Sequence, residues 1–259
     1  MNVVVGARSD TGLVRHHNED SYYAGHRIWA VADGLGGQAA GDVASAIVTD
    51  QLRSRDEAGP LVPDDIARLI STINEAIVDY GWHNPDATGL CSTISGIASV
   101  EIGGMKHWSV FNVGDTRVYR FANNLLTRKT VDHNEAQELI DMGQLSPADS
   151  ANHPLRSVLT RALGTTPAPQ PDILLLPKEQ DETFLICSDG LTSEVPDETI
   201  AAVLGDCRDP EQAAGRLVDL TMAQGAHDNV TVLVLAVRDD DADWAPDGTT
   251  IPRPTVQEL

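Results

Sequence analysis

The chain has 259 residues, long enough for one large domain or two small ones with an ample core, and a hydrophobic fraction of 41% that is ordinary for a globular protein. Its formal charge of −21 is not ordinary, and it argues against a nucleic-acid or anionic-membrane surface, because such binders neutralise phosphates with Lys and Arg. The segment 238–259 holds six acids and two bases, so most of the acidity belongs to the body of the chain.

In chain order, 2–7 reads as a first strand and 22–32 as a hairpin pair turning near Ala24, Gly25 and His26. Segments 39–53 and 63–82 carry helical periodicity, the second with Ile66, Leu69, Ile70, Ile73 and Ile77 on one face. After the break at Asn84-Pro85-Asp86 come 93–102, 106–113, 116–121 and 125–127. These are short β segments whose turns at Gly103-Gly104, Gly114-Asp115 and Asn123-Asn124 predict an antiparallel meander. A short helix over 135–142 leads into a polar stretch over 146–156. Strands at 173–176 and 183–187 precede helices at 197–204 and 210–223, and 230–237 closes the fold as a buried strand.

Strands in groups and helices in pairs, without βαβ alternation, predict an α+β fold of antiparallel sheets covered by helices. Residues 1–238 read as one domain and 239–259, rich in Asp and Pro, as an acidic disordered tail. Cys91, Cys187 and Cys207 have no metal-type pairing and fit core filling in a reducing cytoplasm. Residues 1–5 lack the basic region of a secretory leader, and no apolar run approaches the roughly 18 to 20 residues of a membrane span, so the expectation is a cytoplasmic protein.

The acids carry the chemistry. Glu19 and Asp20 stand in R-H-H-N-E-D, Asp33 in V-A-D-G-L-G-G, Asp189 in L-I-C-S-D-G-L-T and Asp228 in H-D-N-V-T-V. An aspartate directly after 29–32, or one residue beyond 184–187, emerges from a buried strand, which costs desolvation energy unless a cation receives it. No Lys or Arg adjoins Asp33, Asp189 or Asp228 in the sequence. Singly, each is an ordinary turn residue. As a set without basic partners, they point to hard divalent cations such as Mg²⁺ or Mn²⁺.

The ordered motifs resemble the metal-dependent protein phosphatase family, protein phosphatase type 2C, in its small bacterial form. Ser9 to Asp20 meets S-D-x-G-x-x-R-x-x-N-E-D, and Ala32 to Gly37 stands for A-D-G-M-G-G. Asn112 to Tyr119 matches N-V-G-D-S-R-x-Y, with Leu126-Thr127 and 131–133 for L-T-x-D-H. Thr160 to Gly164, Ser188 to Thr192 and Asp228 to Thr231 supply T-R-A-L-G, S-D-G-L-T and D-N-V-T. The resemblance implies two antiparallel β-sheets packed face to face and flanked by helices, an α-β-β-α sandwich. It implies a two-metal centre occupied by Mn²⁺ or Mg²⁺, in which Asp33 bridges both ions. Asp189 and Asp228 complete one ion, and Glu19 with the Gly34 carbonyl completes the other. Arg15 would hold the substrate phosphate and Asp132 would serve a weaker third ion.

The implied activity is hydrolysis of phosphoserine and phosphothreonine in proteins, opposing a serine/threonine kinase that is itself a candidate partner. Two metals can activate a water, so no serine or cysteine nucleophile is needed, and the chain has neither a G-x-S-x-G elbow nor a reactive-cysteine signature. Gly34, Gly36 and Gly37 are expected to permit positive φ and close approach to the main chain. Asp20 is expected to be a structural acceptor, and Asp115 and Arg117 to pin a turn. His133 reads equally as a group behind the ligands or as a solvent-facing side chain. Leu35 stands where a Met or a proposed acid His is usual, and Leu90-Cys91-Ser92-Thr93 replaces M-G-T-T. Segment 134–157, interrupted by Gly143, Ser146, Pro147, Asn152 and Pro154, is expected to form a substrate-selecting flap. A small-molecule phosphatase and a catalytically silent binding module remain alternatives.

Overall fold

A computed structural model describes residues 2–36, 40–150 and 153–238 of the chain. Gly37, Asn152 and the expected tail 239–259 lie outside the described residues.

Side-chain alternation along the strands decides the architecture. In β3 (Ile28–Leu35), Ile28, Ala30 and Ala32 join one core cluster while Trp29 and Val31 join another. A strand apolar on both faces must be covered on both. One sheet runs β1 (Asn2–Asp10), β11 (Val230–Arg238), β10 (Thr183–Cys187), β7 (Arg117–Ala122) and β8 (Leu125–Arg128), in that spatial order. The other runs β2 (Asp20–Ala24), β3, β5 (Ile94–Ile102), β6 (Met105–Val113) and β9 (Asp172–Pro177), with β4 (Cys91–Ser92) paired to the end of β3. Every pairing within the two sheets is antiparallel.

The layer between the sheets is built from Trp29, Val31, Trp108, Phe184, Ile186, Leu233 and Leu235. Trp108 is its hub, edge-on to Trp29 at 5.9 Å and to Phe184 at 5.7 Å between ring centroids. On the outer side of the second sheet lie α1 (Gly41–Glu57) and α2 (Pro63–His83), and the latter buries the predicted stripe Ile66, Leu69, Ile70, Ile73 and Ile77. On the outer side of the first sheet, α6 (Asp197–Asp206) and α7 (Pro210–Gln224) pack Ile200, Val203, Leu217 and Val218 against Val232 and Val234. The expected α-β-β-α sandwich is the observed one.

Two expectations are corrected. The predicted meander is two hairpins in different sheets, β5–β6 and β7–β8, because the chain crosses the sandwich at Gly114. Gly114 has φ +110°, and a Cβ there would stand 2.6 Å from the Thr93 side chain. Asp189, read singly as a turn residue at a strand end, begins the short helix α5 (Asp189–Glu194), which is under two turns long and too brief to show a 3.6-residue period. The short helix expected over 135–142 is α3 (Glu135–Asp141), and a further short helix, α4 (Pro147–Ser150), lies within the polar stretch that follows it. Among the described residues, no helix is long and apolar enough to cross a membrane.

Candidate metal centre

The carboxylates gather at one mouth of the layer between the sheets. Asp33 continues the inner face of β3 after Trp29 and Val31, and Asp20 is its register partner on β2. From the facing sheet, Ser188 follows the inner residues Phe184 and Ile186 of β10 and places Asp189 at the start of α5. Ser188 Oγ donates to Asp20 Oδ2 at 2.7 Å and accepts from the Thr231 amide at 2.9 Å, so the two sheets are stitched together beneath the acids. The Asp33 peptide is held on both sides. Its amide donates to Thr93 Oγ1 at 3.1 Å, and its carbonyl accepts from the Thr93 amide at 2.8 Å and from Ser92 Oγ at 3.1 Å.

Burial, then the charges of Asp20, Asp189, Asp115 and Asp228, hold Asp33 well above the usual carboxylate range. Asp115 is likewise raised well above it, by burial and then by Asp189 and Asp132. Burial and Asp228 raise Asp189 against the opposing charges of Arg156 and Arg117. Asp20 is pushed up to about 7 by burial, although hydrogen bonds from Ser188 and Thr231 pull the other way. It behaves as the structural acceptor expected of it. Among the described residues, no three His, Cys, Asp or Glu side chains form a ready cation cage. The donors are nevertheless all oxygen, and mutual repulsion among buried carboxylates is what a divalent ion relieves, so the set fits Mg²⁺ or Mn²⁺.

Glu19 and Gly34 meet at the start of α1. A Cβ placed on Gly41 would stand 2.7 Å from both Glu19 Oε1 and the Gly34 carbonyl oxygen, so the bare backbone of Gly41 is what lets these two oxygens converge. Neither Gly34 nor Gly36 has positive φ, contrary to expectation. Gly34 is required for space, since its Cβ would collide with the Gly41 carbonyl.

The loop bearing Arg15 and Glu19 is tied down by Asn229. Its Oδ1 accepts from the Glu19 amide at 2.9 Å, and its Nδ2 donates to the carbonyls of Thr11 and His17 at 2.8 and 2.9 Å. Arg15 Nη2 lies 2.7 Å from Asp228 Oδ2 at the exposed rim. Asp228, without a basic neighbour in sequence, therefore has one in space.

Asp132, expected to serve a weaker third ion, is paired with two arginines. Arg117 donates from Nε to Asp132 Oδ1 at 2.9 Å and from Nη2 to Oδ2 at 2.6 Å, and Arg128 Nη1 stands 3.4 Å from Oδ2. Both oxygens are thus committed to arginines, which is poor preparation for a third ion. Asp115, expected to pin a turn, is instead the buried acid coupled by charge to Asp33 and Asp189. His133 is 4% exposed and does not face solvent, since its Nδ1 accepts from the Gly114 amide and its Nε2 lies 3.1 Å from Asp172 Oδ2.

Sequence reasoning also missed the supports Ser92, Thr93, Ser188 and Asn229. The available signal was their polarity at the edges of otherwise apolar, buried strands.

A family model described as protein phosphatase 2C matches residues 7–230. The serine/threonine protein phosphatase PstP of Mycobacterium tuberculosis is 39% identical over 240 residues, which cover 91% of this chain and 45% of that protein. The chain thus spans less than half the length of this curated relative. The serine/threonine phosphatase stp of Listeria monocytogenes is 33% identical over 239 residues, covering 88% of this chain and 93% of that protein. A crystal structure of M. tuberculosis PstP superposes with a TM-score of 0.85 at 36% identity, covering 92% of this chain and 99% of that one. Another, of the PstP catalytic domain in complex with two manganese ions, gives 0.83 at 34% identity with the same coverage.

Proposed function

From the premise that the chain belongs to the protein phosphatase 2C family, we propose that it is a metal-dependent serine/threonine protein phosphatase. Residues 1–238 are the catalytic domain in this reading, working in the cytoplasm against a serine/threonine kinase and using Mn²⁺ or Mg²⁺. Asp33 would be shared by two ions, with Asp189 and Asp228 on one and Glu19 and the Gly34 carbonyl on the other. When bound, such a pair lowers the pKa of a water and neutralises phosphate charge.

The chain's own residues do the rest. Arg15 sits at the rim with its side chain 52% exposed, where its fork can exchange Asp228 for two phosphate oxygens. Asn229 keeps Arg15 and Glu19 on one loop in register with Asp228. Ser92 and Thr93 prevent the Asp33 peptide from turning. Asp115, and not Asp132, is the carboxylate open to a weaker third ion. The flap residue Arg156 donates to Ser193 Oγ on α5 at 2.8 Å, a contact with the element that begins with Asp189 that supports a role of the flap in selecting substrates.

The observation that carries this reading is that Asp33, Asp115, Asp189 and Asp228, from four separate stretches of chain, come near enough to raise the pKa of Asp33, with Arg15 paired to Asp228 beside them. The test is release of phosphate from a phosphothreonine peptide, which should stop on chelation and return with Mn²⁺. Turnover of small phosphate esters with no release from any phosphopeptide would move the assignment to a small-molecule phosphatase.

A further inference from the structure

At the other end of the sandwich the layer between the sheets opens into a cavity of about 470 Å³. It lies where β1 begins, β2 turns into β3 and β5 ends, and its lining includes Arg27, Trp29, Ser99, Glu101, Lys106 and Lys178. In a chain of charge −21 this is a basic lining, with three cations and the neighbouring His26 against the single acid Glu101. Arg27 is already engaged, its Nη1 donating to the Asp56 carbonyl at 3.2 Å and lying 3.8 Å from the Asp56 carboxylate. Lys178 Nζ is braced over the Trp108 ring at 3.5 Å from its centroid and donates to Ser99 Oγ at 2.8 Å. Lys106 makes no ion pair among the described residues.

The second observation is an unmet donor. Trp29 is 3% exposed, and its indole Nε1–H is buried with no hydrogen-bond partner among the described residues. That group can only donate, and a buried donor left unpaired is costly. Lys106 and Lys178, with the Trp29 side chain in the same lining, favour an acceptor-rich anion in the cavity. Leu61 and Val100, both 1% exposed, add an apolar floor, and the volume exceeds what a bare phosphate needs and falls within the range of ligand pockets.

We propose that this cavity binds a small organic phosphate of about nucleotide size, its phosphate between Lys106 and Lys178 and its organic part against Trp29. The site is separate from the carboxylates. Trp29 and Asp33 lie on the same face of β3, four residues and therefore ~13 Å apart. One rival occupant belongs to the chain itself, because the acids Asp239, Asp240 and Asp241 follow Arg238, whose register partner Asn2 also lines the cavity.

Adenosine 5′-monophosphate titrated into the full-length, Mg²⁺-loaded protein should shift the Trp29 indole resonance in ¹⁵N spectra, identified by its loss in Trp29→Phe. Lys106→Glu should weaken that response about tenfold or more, the value of one charge-assisted hydrogen bond. Asp33→Asn should leave it unchanged. Because Lys106 is exposed on a hairpin end, Lys106→Glu should keep wild-type melting and aryl-phosphate hydrolysis, and Lys106→Gln replaces it if it does not. A response indifferent to Lys106, or abolished by Asp33→Asn, would overturn the site. A response seen only after truncation at Arg238 would make the acidic run the occupant and overturn the small-phosphate assignment.

Discussion

Removing the Asp132 carboxylate separates a structural ion pair from a metal ligand. Arg117 and Asp132 share hydrogen bonds of 2.9, 3.2 and 2.6 Å, and their side chains are 16% and 7% exposed. Solvent therefore screens the pair little. In Asp132→Ala the guanidinium stays buried, with the Tyr119 hydroxyl, 3.1 Å from Nη1, as its hydrogen-bond partner among the described residues. Breaking one side of such a pair costs roughly 3–5 kcal/mol. For a domain of this size each kcal/mol moves the midpoint by about 2–4 °C, so the metal-free protein should melt roughly 6–20 °C lower. The assay is thermal unfolding of chelator-treated wild type and variant, with Mn²⁺ calorimetry on both. The double variant Asp132→Ala, Arg117→Met should regain much of the loss, because an apolar replacement of a buried pair is often neutral. A midpoint shift under about 2 °C together with the loss of a Mn²⁺-binding step would refute the ion-pair reasoning and restore Asp132 as a ligand.

Three further outcomes are expected. Arg15→Ala should lower kcat/KM on a phosphopeptide by about 10- to 150-fold, equivalent to roughly 1.5–3 kcal/mol, with little change in melting because its pair with Asp228 is exposed; an unchanged kcat/KM would return it to a surface-charge role. Gly41→Ala, normally favourable in a helix, should weaken Mn²⁺ binding in calorimetry because its Cβ would displace Glu19 Oε1 or the Gly34 carbonyl, and equal affinity would contradict their convergence. Asp33→Asn should abolish turnover without lowering the melting point of the metal-free protein, since one of several mutually repelling carboxylates is gone. Mn²⁺-dependent activity in that variant would sink the bridging assignment.

Periodicity and motif order made most of this protein legible from its residues alone. The near-continuous apolar runs 28–32 and 230–237 mark buried strands, and the isoleucine stripe of 63–82 marks a covering helix, because those patterns depend only on local backbone geometry. The same local logic placed Asp33, Asp189 and Asp228 at strand ends. It could not say which sheet each hairpin of 93–127 would join, since Gly114 carries the chain across the sandwich through a contact with Thr93, 21 residues earlier. Nor could it tell Asp115 from Asp132. Both are acids beside short strands, and their surroundings in the fold differ: Arg117 and Arg128 close around Asp132, while burial and the charges of Asp189 and Asp132 raise Asp115. A side chain's type and strand phase are local properties and can be read along the chain. The charge it meets across a folded interior is not local, and only the packing of the two sheets determined that.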